Sequence, residues 1–326
     1  MDEAELRDKM RACTNLPSSP QVAKHLIGLM ETGCPDVEDI VQALSRDSVL
    51  TAKILQLANS SFFPYKYKVT TLHKAAILIG YNGILTIALS FTLVNHLRKE
   101  TAKGLDLNLF WRRSLLAASI CRVVGGVCGR KDVEELFLVG LIQDIGMLVL
   151  DRMLPEFYMA GDVQQRIHRN VVAYEREKLG TDHGQVGNWL LTDWNFPAKV
   201  CVAVQLSDEL GPYPGPSASD QFYNCVMFSV QLTQLLINRA KDEAFFELVG
   251  FAENKLGLDP FAFAMIIKNT KDILRDTEAM FEMSSHSEDS LEKLTQQAKT
   301  LLGRRNAQLA MQLDALFLQE AMPGVG

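Results

Sequence analysis

One stretch constrains this chain more than any other: Val133–Leu150, VEELFLVGLIQDIGMLVL. Residues 136–142 are apolar apart from Gly140, and residues 145–150 are apolar apart from Gly146. Between them stand one amide and one carboxylate, Gln143 and Asp144. A helix that is apolar on most sides belongs inside a fold. A carboxylate placed there is costly unless it is paired, hydrogen-bonded or metal-bound. The Gln143–Asp144 pair is therefore the first place to look for chemistry.

The chain has 326 residues, enough for one large or two modest domains, and its 48% apolar content can fill a core. A net charge of −6, with no strong basic run, opposes broad binding to a phosphate backbone, so DNA is not an expected partner. The six cysteines show no C-x-x-C spacing, which argues against a zinc knuckle or a redox dithiol. Cys121 and Cys128, seven apart in a helical context, read as buried thiols. The opening MDEAELRDKM lacks the apolar core of a secretory signal. No apolar run reaches the roughly 18 residues of a membrane span, since Ile77–Val94 is broken by Gly80, Tyr81, Asn82 and Gly83. The expectation is a cytoplasmic protein with reduced thiols and no membrane insertion.

Taken in order, the chain shows helical periodicity and no strand signal. Val22, Leu26, Leu29 and Met30 mark one amphipathic helix; Asp36 and Asp47 are caps for the next two. The third of these ends near Asn59-Ser60-Ser61, and FFPYKYKVT follows as an aromatic loop, with Pro64 opposing helix. TLHKAAILIG is a fourth helix closed by Gly80, and a fifth runs from about Asn82 to Arg98. Phe110–Gly125 is a further helix, ended by Gly125-Gly126, and Pro155 ends the central stretch. Val163–Leu179 is a helix whose polar face includes Glu175. Thr181 or Asp182 caps a helix through Trp189 to Leu191, Pro197 opens another, and GPYPGPSAS (211–219) is the clearest loop. Helices follow at about Asp220–Asn238, Glu243–Leu256 and Pro260–Met280. Beyond the linker SSHSEDS, the tail carries a three-and-four apolar rhythm suited to packing on its own domain or on a partner.

No G-x-G-x-x-G, Walker A or H-E-x-x-H pattern occurs, so the common nucleotide-loop and zinc-protease readings lack support. An all-helical metal hydrolase needs several His and Asp side chains converging on one or two divalent ions, which polarise phosphate and generate hydroxide. This chain has six histidines, at 25, 73, 96, 168, 183 and 286, and none neighbours Asp144 in sequence. His183 is the most interesting of them.

Several segments together resemble the HDOD family, a helical signalling module related to HD-domain phosphohydrolases. They are LPSSPQVAKHLIGLM, DVEDIVQALSRDSVLTAKILQLANSSFF, VTTLHKAAILIGYNGILTIAL, FWRRSLLAASICR, LVGLIQDIGMLVL and EREKLGTDHGQVGNWLLTDWNFP. The likeness covers roughly residues 14–210, more weakly to about 236. It implies an all-α, HD-domain-like fold preceded by an N-terminal helical bundle. The division it suggests is 14–100 for the N-terminal part, 104–236 for a degenerate HD-like core, 237–283 for added helices packed on that core, and 290–320 for a C-terminal amphipathic helix.

The resemblance also implies which positions once held ions. Arg113 stands where a catalytic relative keeps its first histidine, and Gln143-Asp144 stands for the His-Asp doublet. His183 matches a histidine common in the family. Gln205 falls where relatives often show paired histidines, and the last metal-binding Asp falls near Gln231, Thr233 and Gln234. Gln binds divalent ions poorly and Arg repels them, so no metal, no cofactor and no catalytic residue is expected. Asp144 is expected to pair with Arg113 or to receive hydrogen bonds from a helix start; His183, to bond to Asp144 or backbone. The function expected is a non-catalytic signalling or scaffold module of bacterial signal transduction, working through protein partners and able to form a homodimer. The 326 residues leave no room for a further signalling domain, so input is expected in trans. Phe62, Phe63, Tyr65 and Tyr67, beside Lys66 and Lys68, either fold back on the core or form a candidate partner surface. Two alternatives stay open: a nucleotide or cyclic-dinucleotide sensor using Arg113 as anion-binding group, and a metal-dependent phosphohydrolase with an atypical site.

Overall fold

The computed structural model describes residues 3–13, 16, 20–32, 36–63, 65–99, 101–159, 168–209, 218–238 and 242–283, with isolated positions between 300 and 307. Among them every regular element is a helix, as the periodicity requires. The N-terminal part comprises α1 (Glu3–Ala12), α2 (Gln21–Glu31), α3 (Val37–Ser45), α4 (Ser48–Ala58), α5 (Leu72–Ile79) and α6 (Tyr81–Leu97). The middle comprises α7 (Leu107–Val127), α8 (Val133–Ile142), α9 (Ile145–Met153), α10 (Pro155–Met159), α11 (His168–Leu179), α12 (His183–Asp193) and α13 (Ala198–Gln205). Three more follow: α14 (Ala218–Asn238), α15 (Asp242–Leu256) and α16 (Pro260–Met280). The expected C-terminal helix, 290–320, lies outside the described residues apart from those isolated positions, as do residues 163–167 and 211–217.

Local chemistry sets the helix starts. Asp36, Asp47, Asp106, Asp182 and Asp259 each accept a backbone N–H from the first turn of the helix they precede, relieving donors that have no partner inside the helix. Asn59 closes the loop after α4, donating to the Val69 carbonyl at 2.8 Å and accepting from the Val69 amide at 2.8 Å. Gly80 takes φ 88°, a conformation that a side chain disfavours, and there the chain turns sharply between α5 and α6.

The long α7 is the spine, with α8, α14 and α16 packed along it. Its buried face runs almost its whole length, from Phe110 to Gly125. Gly140 lets α8 approach closely, because a Cβ there would lie 2.7 Å from the Ala118 Cα. Gly125-Gly126 does not end α7, contrary to the sequence reading. The helix continues to Val127, and Gly125 serves packing instead, since a Cβ would strike the Leu136 side chain. The terminator is Gly129, at φ 71°. Pro155 marks the end of the central stretch as expected, since α9 stops at Met153, and it also opens the short α10.

The central stretch is two helices, not one. The break falls at Gln143 and Asp144, and α9 then packs on α12. Gly146 makes that packing feasible: a Cβ there would overlap the His183 carbonyl and lie 2.8 Å from the Gly187 amide. Both partners are backbone and cannot swing away, so the helices themselves must separate to admit a methyl group. Gly146→Ala should therefore lower stability by about 1–3 kcal/mol or more, read as a fall in thermal midpoint. A variant that melts with the parent would show that this approach is not tight.

No single helix among the described residues is long and apolar enough to cross a membrane. The pair α5–α6 reaches the required length only together, is bent by 115°, and buries most of α6 in the core.

Candidate functional site

The break between α8 and α9 delivers Asp144 to a fully buried position. Four other segments meet it there. Arg113 comes from the first half of α7, His168 from the start of α11, and His183 from the start of α12. Asp208 follows α13 by three residues. One ligand atom from each of Asp144, His168, His183 and Asp208 lies within 4.8 Å of the other three.

The contacts are close, but those on Asp144 are ion pairs: neither Asp144 oxygen, nor Asp208 Oδ1, meets a hydrogen-bond partner. Arg113 Nη2 stands 3.0 Å from Asp144 Oδ2, so the expected pairing is present. The His183 Nε2 and His168 Nε2 lie 3.5 and 3.6 Å from Asp144 Oδ1. Both imidazoles also turn to Asp208, His183 Nε2 at 3.0 Å and His168 Nε2 at 3.0 Å. The other His183 nitrogen, Nδ1, meets buried Glu175 at 2.7 Å, and Glu175 also accepts the His183 amide at 2.9 Å and the Tyr158 hydroxyl at 2.5 Å. Outside the cluster Arg176 bridges Asp182 and Glu209 at 2.6 and 2.8 Å, tying the segments that carry His183 and Asp208.

Electrostatics follow from this crowding. Burial pushes the Asp144 carboxyl up, but Arg113, His168 and His183 outweigh it and hold it at about 2. Burial likewise raises Asp208, and the two imidazoles pull it well below the usual carboxylate range. Burial alone would discharge His183, yet Glu175, Asp144 and Asp208 keep it protonated far above an ordinary imidazole. His183 between two carboxylates is then a cation donating from both nitrogens. Arg113 and His183 face three carboxylates, Asp144, Asp208 and Glu175, so the set carries one net negative charge before His168 is counted.

Those residues fit one divalent ion. Two imidazole nitrogens and two carboxylates are a donor set used for zinc, iron and manganese. Glu175 on the Nδ1 of His183 is the outer carboxylate that orients a ligating histidine and raises its basicity. An ion replacing the Nε2 proton of His183 would also remove the net negative charge. Against this stands Arg113, a fixed cation on one of the four donors.

Several expectations need correction. The reading that no histidine neighbours Asp144 holds along the chain but not in space, where His168 and His183 both reach it. His168, Asp208 and Glu175 are the functional residues that the sequence reading missed. Glu175, assigned to a polar face, is fully buried; His168, Val171, Val172, Glu175 and Leu179 form one inward stripe, and that spacing was the available signal. Gln205 is not part of the cluster and accepts from Asn188 Nδ2 at 3.0 Å. Thr233 is buried on α14 with its hydroxyl unpartnered and is not among the four converging donors. Gln143 is fully buried, and neither of its side-chain polar atoms has a hydrogen-bond partner. Arg113 is paired with Asp144 and its side chain is only 11% exposed, so it is not the unpaired anion-binding group that a nucleotide sensor would use. The aromatic loop is divided: Phe62 is core, edge-on to Phe137, and Phe63 lies beneath Arg122 and stacks on Tyr65. Tyr67 alone is largely exposed.

An all-helical bundle carrying such a histidine–aspartate centre at a helix break defines the HD-like class of helical folds. Within it, the model of the HDOD domain matches residues 16–210, well over half of the chain, and the chain belongs to that family. An HDOD domain protein from Geobacter sulfurreducens aligns over 85% of this chain and 96% of its own, at 19% identity and a TM-score of 0.65. A candidate phosphohydrolase from Shewanella amazonensis SB2B aligns over 86% and 98%, at 21% identity and a TM-score of 0.64. At these identities the likeness concerns the fold. A Treponema pallidum (strain Nichols) protein of uncharacterised function is 23% identical over 185 residues, 55% of this chain. The chain spans 35% of that relative's length.

The depressed Asp144 carboxyl makes a directional prediction for metal-free protein. Its folded value, about 2, lies below the unfolded value near 3.9, so its stabilisation is present above about pH 4 and is lost as pH falls through 2. Asp144→Asn should cost about 3–5 kcal/mol at neutral pH by leaving Arg113 uncompensated. Parent and variant stabilities should converge as pH drops from 4 to 2 in chelator-treated denaturant melts. A gap that stays constant down to pH 2 would contradict this charge pairing.

Proposed function

We propose that this chain is a non-catalytic signal-transduction module acting through protein contacts, with its polar centre retained as a charge-balanced hub of the fold. The observation that carries this reading is Arg113 on Asp144. A guanidinium at 3.0 Å is a permanent cation that neither accepts a proton nor generates hydroxide. Asp208 is occupied by two imidazoles, and the side chains of the four donors are between 0 and 6% exposed. Metal-dependent hydrolysis needs an open coordination position for water and substrate. Gln143, beside Asp144, offers an amide where hydrolysis would want a ligand or a proton carrier. Family membership and a structural neighbour from Marinobacter aquaeolei VT8 described as a candidate signal-transduction protein are in keeping with this reading.

A second reading has a specific observation in its favour. The set Asp144, His168, His183 and Asp208, backed by Glu175, could hold one ion, and two Shewanella neighbours are described as candidate phosphohydrolases. In that case the four side chains would bind and orient the ion, Glu175 would fix the His183 ring, and Arg113 would have to leave Asp144 to let phosphate approach. The ion would supply a polarised phosphate and an activated water.

Elemental analysis of purified protein, followed by assay with bis(p-nitrophenyl) phosphate in Mn2+, Fe2+ or Zn2+, separates the two. The proposed function predicts no turnover above the metal-only blank, whether or not an ion is bound. Turnover that disappears in both His183→Ala and Asp208→Asn would overturn it in favour of the hydrolase.

A further inference from the structure

Residues 48–99 contain six basic side chains, Lys53, Lys66, Lys68, Lys74, Arg98 and Lys99, and no aspartate or glutamate. Since the whole chain carries −6, the residues outside that segment together carry −12. The fold spends two of the six cations internally. Lys53 donates to the Met280 carbonyl at 2.8 Å and meets Glu282 at 3.1 Å, and Arg98 donates to the Phe281 carbonyl at 2.6 Å. Lys99 is exposed beyond the far end of α6. The remaining three, Lys66, Lys68 and Lys74, stand exposed on the aromatic loop and on α5.

The same region exposes apolar surface. Tyr67 is 85% exposed, Ile77 59%, Leu78 48% and Tyr81 40%, half of the large exposed hydrophobics among the described residues. Loop and helix form one surface, because the Tyr65 hydroxyl donates to the Leu78 carbonyl at 2.7 Å. On α5, Lys74, Ile77 and Leu78 fall at i, i+3 and i+4, so a cation and two apolar side chains share a face. Among the described residues, the acidic groups recorded near this surface lie at its margins, Asp276 accepting from the Ser61 amide and hydroxyl at the start of the loop. Exposed Glu38 of α3 lies 4.0 Å from His73, and Glu134 acts on Tyr65 from the inner side together with Arg122.

We propose that this face docks a protein segment in which carboxylates flank apolar side chains, as on an acidic amphipathic helix. The inference rests on the reading of the chain as a module that works through protein contacts, and names the surface and the chemistry of the partner. Charge complementarity commits it to a localised acidic segment. An anionic bilayer is a broad negative sheet; it would attract three lysines weakly and repel the remaining, strongly negative surface. An acidic helix can meet the lysines alone while its apolar stripe covers Tyr67, Ile77 and Leu78.

The test uses the full chain and a fluorescent helical peptide of about five turns, with leucines on one face and glutamates beside them. A twin with lysine for every glutamate and phosphatidylserine-containing vesicles are the controls. Anisotropy at low salt should show saturable binding of the glutamate peptide only. The triple charge reversal Lys66→Glu, Lys68→Glu, Lys74→Glu should weaken it at least about ten-fold, and Tyr67→Ser with Ile77→Ser should weaken it with charge intact. Circular dichroism should show both variants folded, since all five positions are exposed. No saturable binding, equal binding of the lysine twin, or undiminished binding by the charge-reversed protein would overturn the proposal. Vesicle binding without peptide binding would assign the face to lipid and overturn it too. The phosphodiester assay is independent: a chain without turnover that ignores the peptide loses this surface but keeps its non-catalytic reading. A chain that turns over yet binds the peptide does the reverse.

Discussion

Burying Asp144 among apolar helices is feasible only because opposite charge arrives from elsewhere in the chain. Arg113 from α7 and the imidazoles from α11 and α12 converge on it, and Asp208 and Glu175 hold those imidazoles in turn. An isolated buried carboxylate would neutralise itself or unfold its surroundings. The elements that bring these partners together cannot be displaced separately: α9 and α12 touch through Gly146, and α7 and α8 through Gly140. Close backbone packing and charge balance are thus one arrangement seen at two scales, with the glycines allowing the approach that lets the charges meet.

Under the proposed function, that arrangement lets a centre built from metal-binding side chains persist as a structural element. Each carboxylate has a cationic or N–H partner from the protein, so the network is close to balanced on its own account. It is also one negative charge away from balance before His168 is counted, which keeps a single divalent ion chemically compatible. Arg113 decides between the two. While it sits on Asp144 it supplies charge but no ligand, no proton acceptor and no route for substrate. On the proposed reading the site is a hub of the fold and the contact surface lies elsewhere, where the loop after α4 and the helix α5 show cations and apolar side chains to solvent.

Local patterning reached far into this structure. The caps at Asp36 and Asp47 and the stop at Gly80 were readable from residue types and spacing, whereas the pairing of Arg113 with Asp144 was one of two outcomes expected once the family resemblance had singled out Arg113. Where the reading failed, tertiary packing overrode a local signal. Gly125-Gly126 looks like a helix end, yet Leu136 needs that room against α7. The aromatic loop left two readings open, an exposed patch or packing on the core, and only the structure divided them: Phe137 and Arg122 enclose Phe62 while Tyr67 stands in solvent.

From the sequence alone came an all-helical fold, its family likeness, and the certainty that Asp144 would need a partner, because helical periodicity, capping and the cost of buried charge are local properties. Only the tertiary structure decided between the partners expected, Arg113 and His183, and those not foreseen. His168 and Asp208 are separated from Asp144 by 24 and 64 residues and follow no motif spacing. Their convergence is set by how helices stack, and a one-dimensional pattern holds no distance between faces of different helices.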